Sequence, residues 1–207
     1  MDLFELLAKR RTVRQFKTDP VPQADVEKIV QAGLLAPSPN DSHPWRIIAI
    51  RNQGILREMR SAVEKKLDAL FPAPTGDKKT RLDKVKNFST IFAQAPLVLA
   101  VMMKPYRAIV DDLLDGSALT HDQINALRKY PDVQATGALV QNMLLAATEL
   151  GYGAVWVSGA LVASEDLDRL LKGGEYKVQT LVALGRPAVS PEPRRAYDLK
   201  EYLATID

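Results

Sequence analysis

The 207 residues include no cysteine and only two histidines, His43 and His121. The first absence removes disulfides, thiolate metal ligands and a cysteine nucleophile together. It suits a reducing compartment, and a cytoplasmic protein is expected. The scarcity of histidine argues against a zinc site and against a Ser-His-Asp triad, because neither histidine has the required neighbours in sequence. His43, between Ser42 and Pro44, reads as a loop residue bonded to backbone, and His121 as a surface residue. The acids Asp111, Asp112 and Asp115 read as a solvated helix face, so no metal is expected. Long apolar runs are missing too. The segment Pro96 to Met103 is far too short to span a bilayer. Residues Met1 to Glu5 lack the basic and apolar regions of a signal peptide. Both common phosphate cradles are absent. There is no Walker-type Gly-Lys-Ser/Thr. The run Gly151-Tyr152-Gly153-Ala154-Val155-Trp156 starts like a dinucleotide fingerprint but has Trp156 at the third glycine position. It also leads from a helix into a strand, the reverse of the required order. A helix cap and a tight turn account for its glycines. Finally, charge of one sign is scarce: 28 Lys and Arg against 25 Asp and Glu give a net charge of +3. That is no nucleic-acid footprint, and neither a nucleic-acid nor a membrane partner is expected.

What is present is an ordinary globular composition, 46% hydrophobic and 26% charged, at a length that fits one domain over residues 1–207. Helical spacing predicts a first helix over Leu3 to Arg10, with Asp2 and Glu5 as a capping box. A second starts near Pro22 and buries Val26, Ile29, Val30 and Gly33. Pro37, Pro39 and Pro44 stiffen the loop that follows. Trp45 to Ile50 reads as a strand, and Ile55 to Leu70 as an amphipathic helix with Leu56, Met59, Val63, Leu67 and Leu70 in register. A helix over Lys79 to Phe92 precedes the apolar run Leu97 to Met103, a strand expected to be buried on both faces. Residues 104–131 are polar and weakly periodic; an insertion or lid and a solvated helical excursion both fit, with Ser117 or Thr120 as a cap. The helix Asp132 to Leu150 is apolar nearly all round, which places it in a core or an interface, and Gly151 ends it. Short strands are expected at Ala154 to Val157 and Val178 to Leu184, with a Ser164-capped helix carrying Leu167, Leu170 and Leu171 between them. A Pro-rich arm with Pro191 and Pro193 occupies 187–207. Alternating helices and strands imply an α/β or α+β sandwich.

Two short segments carry the chemistry. Arg10, Arg11, Thr12 and Arg14 set three guanidiniums and a hydroxyl at the end of the first helix. Planar forks of this kind suit phosphate, through paired charge-assisted hydrogen bonds. A solvated basic surface and a nucleic-acid patch are the alternatives, the latter disfavoured because no aromatics are interleaved for base stacking. The second segment, Ala36-Pro37-Ser38-Pro39-Asn40-Asp41-Ser42-His43-Pro44-Trp45, is a rigid loop that suits a flat heterocycle.

These residues, in this order, resemble the nitroreductase family of FMN-dependent oxidoreductases over nearly the whole chain. Arg10 to Phe16 is similar to the family's Arg-Arg-Ser-x-Arg-x-Phe opening, and Ala36 to Trp45 to its Ala-Pro-Ser-x-x-Asn-x-Gln-Pro-Trp loop. Ala95-Pro96, Gln141 to Ala147, Gly151 to Gly159 and Leu184-Gly185-Arg186-Pro187 follow in the family's sequence. The short length and the Trp156-Val157-Ser158-Gly159 segment resemble its compact subgroup.

The resemblance implies an α+β sandwich, a mostly antiparallel sheet flanked by helices, in an intertwined homodimer with the 187–207 arm around the partner. It implies FMN as cofactor and NADH or NADPH as co-substrate. Arg10, Arg11, Thr12 and Arg14 match its phosphate and ribityl contacts. Pro37, Ser38, Pro39 and Asn40 match the loop brought to the flavin ring by the partner subunit. Trp156, Val157, Ser158 and Gly159 match the segment along the ring edge. Arg186 matches a basic position that reaches the phosphate, for which Arg194 or Arg195 would substitute. No catalytic side chain is implied, because the flavin carries the chemistry. The implied activity is ping-pong hydride transfer to a nitroaromatic, quinone or similar flat acceptor. Flavin fragmentation, dehalogenation, or flavin binding without turnover are the alternatives. Asp41 stands where the family has Asn, and His43 where it has Gln. An acid beside an anionic reduced flavin is unfavourable unless paired.

Overall fold

In the computed structural model, which describes residues 2–191 and 197–206, the apolar segments form one sheet. Its strands are β1 (Trp45–Ile50), β2 (Leu97–Met103), β3 (Gly153–Val157) and β4 (Lys177–Gly185), in the order β1-β2-β4-β3 with every neighbouring pair antiparallel. The bounds of β1 and β2 are those the sequence predicts. Every residue of β2 is buried, as a central strand covered on both faces must be. β3 is an edge strand. Its residues are buried except Trp156, which is 45% exposed.

Seven helices surround the sheet among the described residues: α1 (Leu3–Lys9), α2 (Gln23–Leu34), α3 (Gln53–Leu70), α4 (Gly76–Thr90), α5 (His121–Leu127), α6 (Pro131–Glu149) and α7 (Ser164–Leu171). The two-residue period of the strands divides the core. Leu97, Leu99, Val101 and Ala154 face α2 and α6. Val98, Ala100, Met102, Val155 and Val157 face α3, α4 and α7. The result is the expected α+β sandwich. No helix among the described residues is long and apolar enough to cross a membrane.

Several local expectations need correction. The Asp2–Glu5 capping box closes in both directions, yet α1 buries none of its residues, and Leu3 and Phe4 are exposed. α3 begins earlier than its apolar spacing suggests, because the Asn52 side chain accepts from the Gly54 and Ile55 amides at 2.8 and 3.3 Å. Leu70 is exposed at its far end. α4 begins at Gly76, and its last turn tightens into a 3-10 turn over Ile91–Gln94 that fully buries Phe92. Ser164 is the first helical residue of α7, not its cap, since a 3-10 turn over Gly159–Ala163 runs straight into the helix.

The apolar character of α6 is accounted for largely within the chain. Leu139, Val140, Met143 and Leu144 lie under α2 and the sheet. Gly33 permits this approach, because a Cβ there would meet Met143 Cγ at 2.6 Å. Its first turns also hold buried polar groups that the apolar pattern hides. Trp45 Nε1 donates to Thr136 Oγ1, which donates to the Asp132 carbonyl, both at 3.0 Å. Residues 104–131 contain α5, capped reciprocally by Thr120 and Gln123. His121 is paired rather than free on the surface: its Nδ1 lies 2.9 Å from both oxygens of Asp111. Asp111 also accepts from the Ala108 amide at 2.7 Å, and Asp112 pairs with Arg107, so these acids are engaged rather than merely solvated. In the arm, Tyr197 and Tyr202 meet edge-on around a short 3-10 turn, Leu199–Glu201. Pro193, Arg194 and Arg195 lie outside the described residues.

Candidate functional site

The open edge of β3 organises the site. The Ala154 carbonyl faces outward and accepts from the Val13 amide at 2.9 Å, so Thr12 and Ala154 form a parallel bridge. Gly153 makes this possible. A Cβ there would sit 2.5 Å from Val13 Cβ. Further along, Phe16 bridges Pro187: the Lys17 amide donates to Arg186 O at 2.8 Å, and the Ala188 amide donates to Gln15 O at 2.9 Å. The arginine segment is thereby stitched onto the sheet. Val13 points inward and is buried, so its extended neighbours Thr12 and Arg14 point outward and are exposed. The Arg14 guanidinium lies 5.5 Å from the centre of the Phe88 ring. Among the described residues neither Arg11 nor Arg14 has a carboxylate partner, which leaves both forks for an anion. Arg10 is half-buried where α1 ends.

Trp156 has the same parity as Ala154, so its backbone N–H and C=O face the same open edge, beyond the reach of Val13. Its indole Nε1 donates to Thr180 Oγ1 at 2.7 Å, and that hydroxyl donates to Val157 O at 3.2 Å. Beside the indole lies a cleft of about 490 Å³, lined in part by Thr136, Gly137, Ser158 and Gln179. The Val157 side chain is in the core, whereas Ser158 and Gly159 are exposed. Gly159 lies against Ser89, whose Oγ would be 2.5 Å from a Cβ at that position. From Ala154 to Ser158 the chain advances roughly 13 Å. Over that length the sheet edge therefore has cations at one end and open backbone at the other.

Arg186 is on the same sheet edge but turns elsewhere. Its Nη1 donates to Leu150 O at 2.9 Å, where a cation offsets the negative end of α6. Its guanidinium stacks 4.1 Å over Tyr152, whose hydroxyl donates to Asp25 Oδ2 at 2.6 Å. Burial, then the Asp25 bond, raises that hydroxyl above the usual tyrosine pKa.

The loop Pro37 to Pro44 is built differently. Asn40, Asp41 and His43 are left-handed, with φ of +52°, +53° and +42°. These are the non-glycine residue types that tolerate that region best. The turn is held by Ser38 Oγ, which accepts from the His43 amide at 3.0 Å, and by Asn40 Nδ2, 3.4 Å from Arg107 O. His43 Nε2 lies 2.7 Å from Asp41 Oδ1, so its ring bonds the acid rather than backbone. No hydrogen bond or ring contact among the described residues joins this loop to Thr12, Arg14 or Trp156. Phe88, Ser89 and Thr180 carry no sequence signal of a site; only the folded chain brings them to it.

The Nitroreductase family profile matches residues 7–186. This chain belongs to the nitroreductase family. A relative from Methanothermobacter thermautotrophicus, named for NADH dehydrogenase and NAD(P)H nitroreductase, is 29% identical over 203 residues, 96% of this chain and 84% of the relative. The crystal structure of a BluB-like flavoprotein from Clostridium difficile 630 is 27% identical, covers all of both chains and superposes with a TM-score of 0.89. An FMN-bound nitroreductase from Desulfitobacterium hafniense DCB-2 has 19% identity and a TM-score of 0.72 over 99% of this chain and 97% of its own, which is a likeness of fold. The site on this nitroreductase-family chain is therefore a place to test for a flavin.

Proposed function

We propose that the chain is an FMN-dependent oxidoreductase that draws hydride from NADH or NADPH and delivers it to a flat acceptor such as a nitroaromatic or quinone. The carrying observation is the polarity of the β3 edge, with Arg11 and Arg14, which have no carboxylate partner among the described residues, at one end and the open Trp156 backbone at the other. Those residues fit a phosphate joined by a polar chain to a flat ring. Bound FMN would accept and give up hydride in separate half-reactions, so no side chain need carry the redox step. Arg10, Arg11 and Arg14 would hold the phosphate, with the Thr12 hydroxyl on a phosphate or ribityl oxygen. Trp156 to Gly159 would align the ring edge through backbone groups. Arg186 adds positive charge nearby while its fork stays on Leu150 O.

Pro37, Ser38, Pro39 and Asn40 would come from a second copy, in a homodimer. The lack of any hydrogen bond or ring contact joining them to Thr12 or Trp156 among the described residues supports this, as do the exposed Leu3, Phe4, Tyr197, Leu199 and Tyr202. The 104–131 segment would shape the acceptor site. A second reading is favoured by the likeness to the BluB-like flavoprotein: the same site would serve another flavin chemistry, such as flavin fragmentation.

The test is an anaerobic visible spectrum of the dialysed protein before and after NADH, then NADPH. Flavin bands that bleach support the reductase and name its donor. Bands that persist leave a flavin binder with another purpose. No bands, even after added FMN, refute the cofactor. Aerobic incubation of the reduced protein with product analysis separates the second reading, which requires the flavin itself to be consumed.

A further inference from the structure

The last turn of α4 approaches both parts of the site, through Phe88 at Arg14 and Ser89 at Gly159, and belongs to neither the arginine segment nor the Trp156 segment. Ser89 is 3% exposed, and among the described residues its hydroxyl makes no hydrogen bond. Its neighbour Thr90 shows what a helical hydroxyl ordinarily does: Oγ1 donates to Lys86 O at 2.8 Å. A nearly buried residue whose hydroxyl has no protein partner yet keeps some exposure calls for an explanation, since the one sealed and unpartnered polar side-chain atom among the described residues is Asn125 Oδ1. The position of Ser89 supplies one. Its Oγ lies where a Cβ on Gly159 would clash, at 2.5 Å, so the glycine leaves the space that the hydroxyl occupies. Phe88, one residue earlier, is 58% exposed and carries the Arg14 guanidinium over its ring. One helical turn thus touches both the arginine segment and the segment that ends at Gly159.

Resting on the flavin reading above, we infer that Ser89 is a cofactor-binding residue. Its hydroxyl donates to a heteroatom on the edge of the bound ring that runs along Gly159. Phe88 is its companion as a positioning residue that holds the Arg14 fork toward the phosphate. A donor at the ring edge favours the electron-rich reduced flavin over the oxidised one, because the acceptor atom gains negative charge on reduction. Ser89 would then tune the cofactor as well as hold it.

The test uses the full chain and its Ser89→Ala variant. FMN binding is read by fluorescence titration, the midpoint potential by anaerobic dye equilibration, and the apoprotein melting temperature without flavin. The expected result is FMN bound about tenfold more weakly and a midpoint potential lower by about 30 mV, a tenfold difference between redox states in a two-electron couple. The apoprotein should melt at the same temperature, since the hydroxyl that is removed has no protein partner among the described residues. Unchanged affinity and potential in Ser89→Ala would overturn the inference while leaving the flavin reading intact. A lower apoprotein melting temperature with unchanged potential would also overturn it, by assigning Ser89 to structure alone. Failure of the unmodified chain to bind FMN would instead defeat the underlying reading. Phe88→Leu keeps the volume but loses the ring face, and should weaken FMN binding about threefold to tenfold with no change in potential; a shift in potential there would contradict the division of roles.

Discussion

Gly153→Ala should loosen the arginine segment from the sheet. The added methyl would stand 2.5 Å from Val13 Cβ, 2.6 Å from Cγ2 and 2.7 Å from Cγ1. A rotamer change cannot relieve this, because the nearest atom is the Cβ itself, which moves only with the backbone. Val13 is also stiff at χ1. Ordinary contact begins near 3.4 Å, so Val13 must retreat by about 0.9 Å. That retreat strains the Val13–Ala154 hydrogen bond and carries Thr12 and Arg14 with it. Overpacking of this kind costs about 1–3 kcal/mol. For a domain of this size, 2 kcal/mol lowers the melting temperature by roughly 4–8 °C. Losing one charge-assisted hydrogen bond costs a further ~1.5–3 kcal/mol of binding, or about 10–100-fold in the FMN Kd. Thermal melting of the apoprotein and FMN fluorescence titration read the two effects separately. Gly137→Ala is the contrast: its Cβ would meet Trp156 Cη2 at an ordinary 3.7 Å, and a helical Gly→Ala change stabilises by about 0.5–1 kcal/mol. Melting within 1 °C of the parent (roughly 0.5 kcal/mol) and unchanged FMN affinity for Gly153→Ala would refute the claim that Gly153 sets the position of the arginines.

Replacing Arg10 and Arg14 together with Ala should release FMN on dialysis while the fold survives; full flavin occupancy in that double variant would sink the phosphate assignment. Phe92→Ala should cost about 3–5 kcal/mol, because the ring is fully buried between the sheet and its helices; denaturant unfolding measures it, and a loss under 1 kcal/mol would contradict the packing. The Asp111 carboxyl is held below its ordinary range first by the His121 bond and then by the Ala108 amide. A depressed folded pKa gives stability that is present above the unfolded value and lost as pH falls through the folded one, so amide-exchange protection over 108–123 should hold from pH 8 to 5 and fail below about pH 4. Protection lost between pH 8 and 5 would exclude Asp111 as the controlling group.

The sheet and its main helices were legible because their signals are local. β1 and β2 are apolar runs bounded by Pro44, Lys104 and Ala95-Pro96, and α3 repeats its buried residues at helical spacing. What was not legible depends on contacts between distant segments. Nothing in residues 10–16 announces that Thr12 bridges Ala154 or that Phe16 bridges Pro187. The apolar spacing of α1 predicts a buried face, but the helix lies outside the core of its own chain. Polar residues mislead in the other direction. Thr136 and Asp132 open an apolar helix and are buried, because Trp45 and Asn125 travel to meet them. Arg186 shows the limit of matching motif to role. Its position just after the last strand follows from the sequence, whereas the direction of its guanidinium depends on where α6 ends.

The two departures from the family loop, Asp41 and His43, are both compatible with the backbone they occupy. Both are left-handed, as is Asn40, and a β-branched or bulky residue there would be strained. The acid that would oppose a reduced flavin is also the partner of the histidine beside it, at 2.7 Å. An exposed pair of this kind contributes at most about 1 kcal/mol, so it does not hold the turn by itself. The Ser38 hydroxyl, accepting from the His43 amide, and Asn40, reaching Arg107, supply the rest. The loop therefore keeps its shape through hydrogen bonds that survive loss of the Asp41–His43 pair, and its charge is free to vary without its fold. That separation lets a family loop exchange amides for an acid and a base while still presenting Ser38, Pro39 and Asn40 in one fixed geometry.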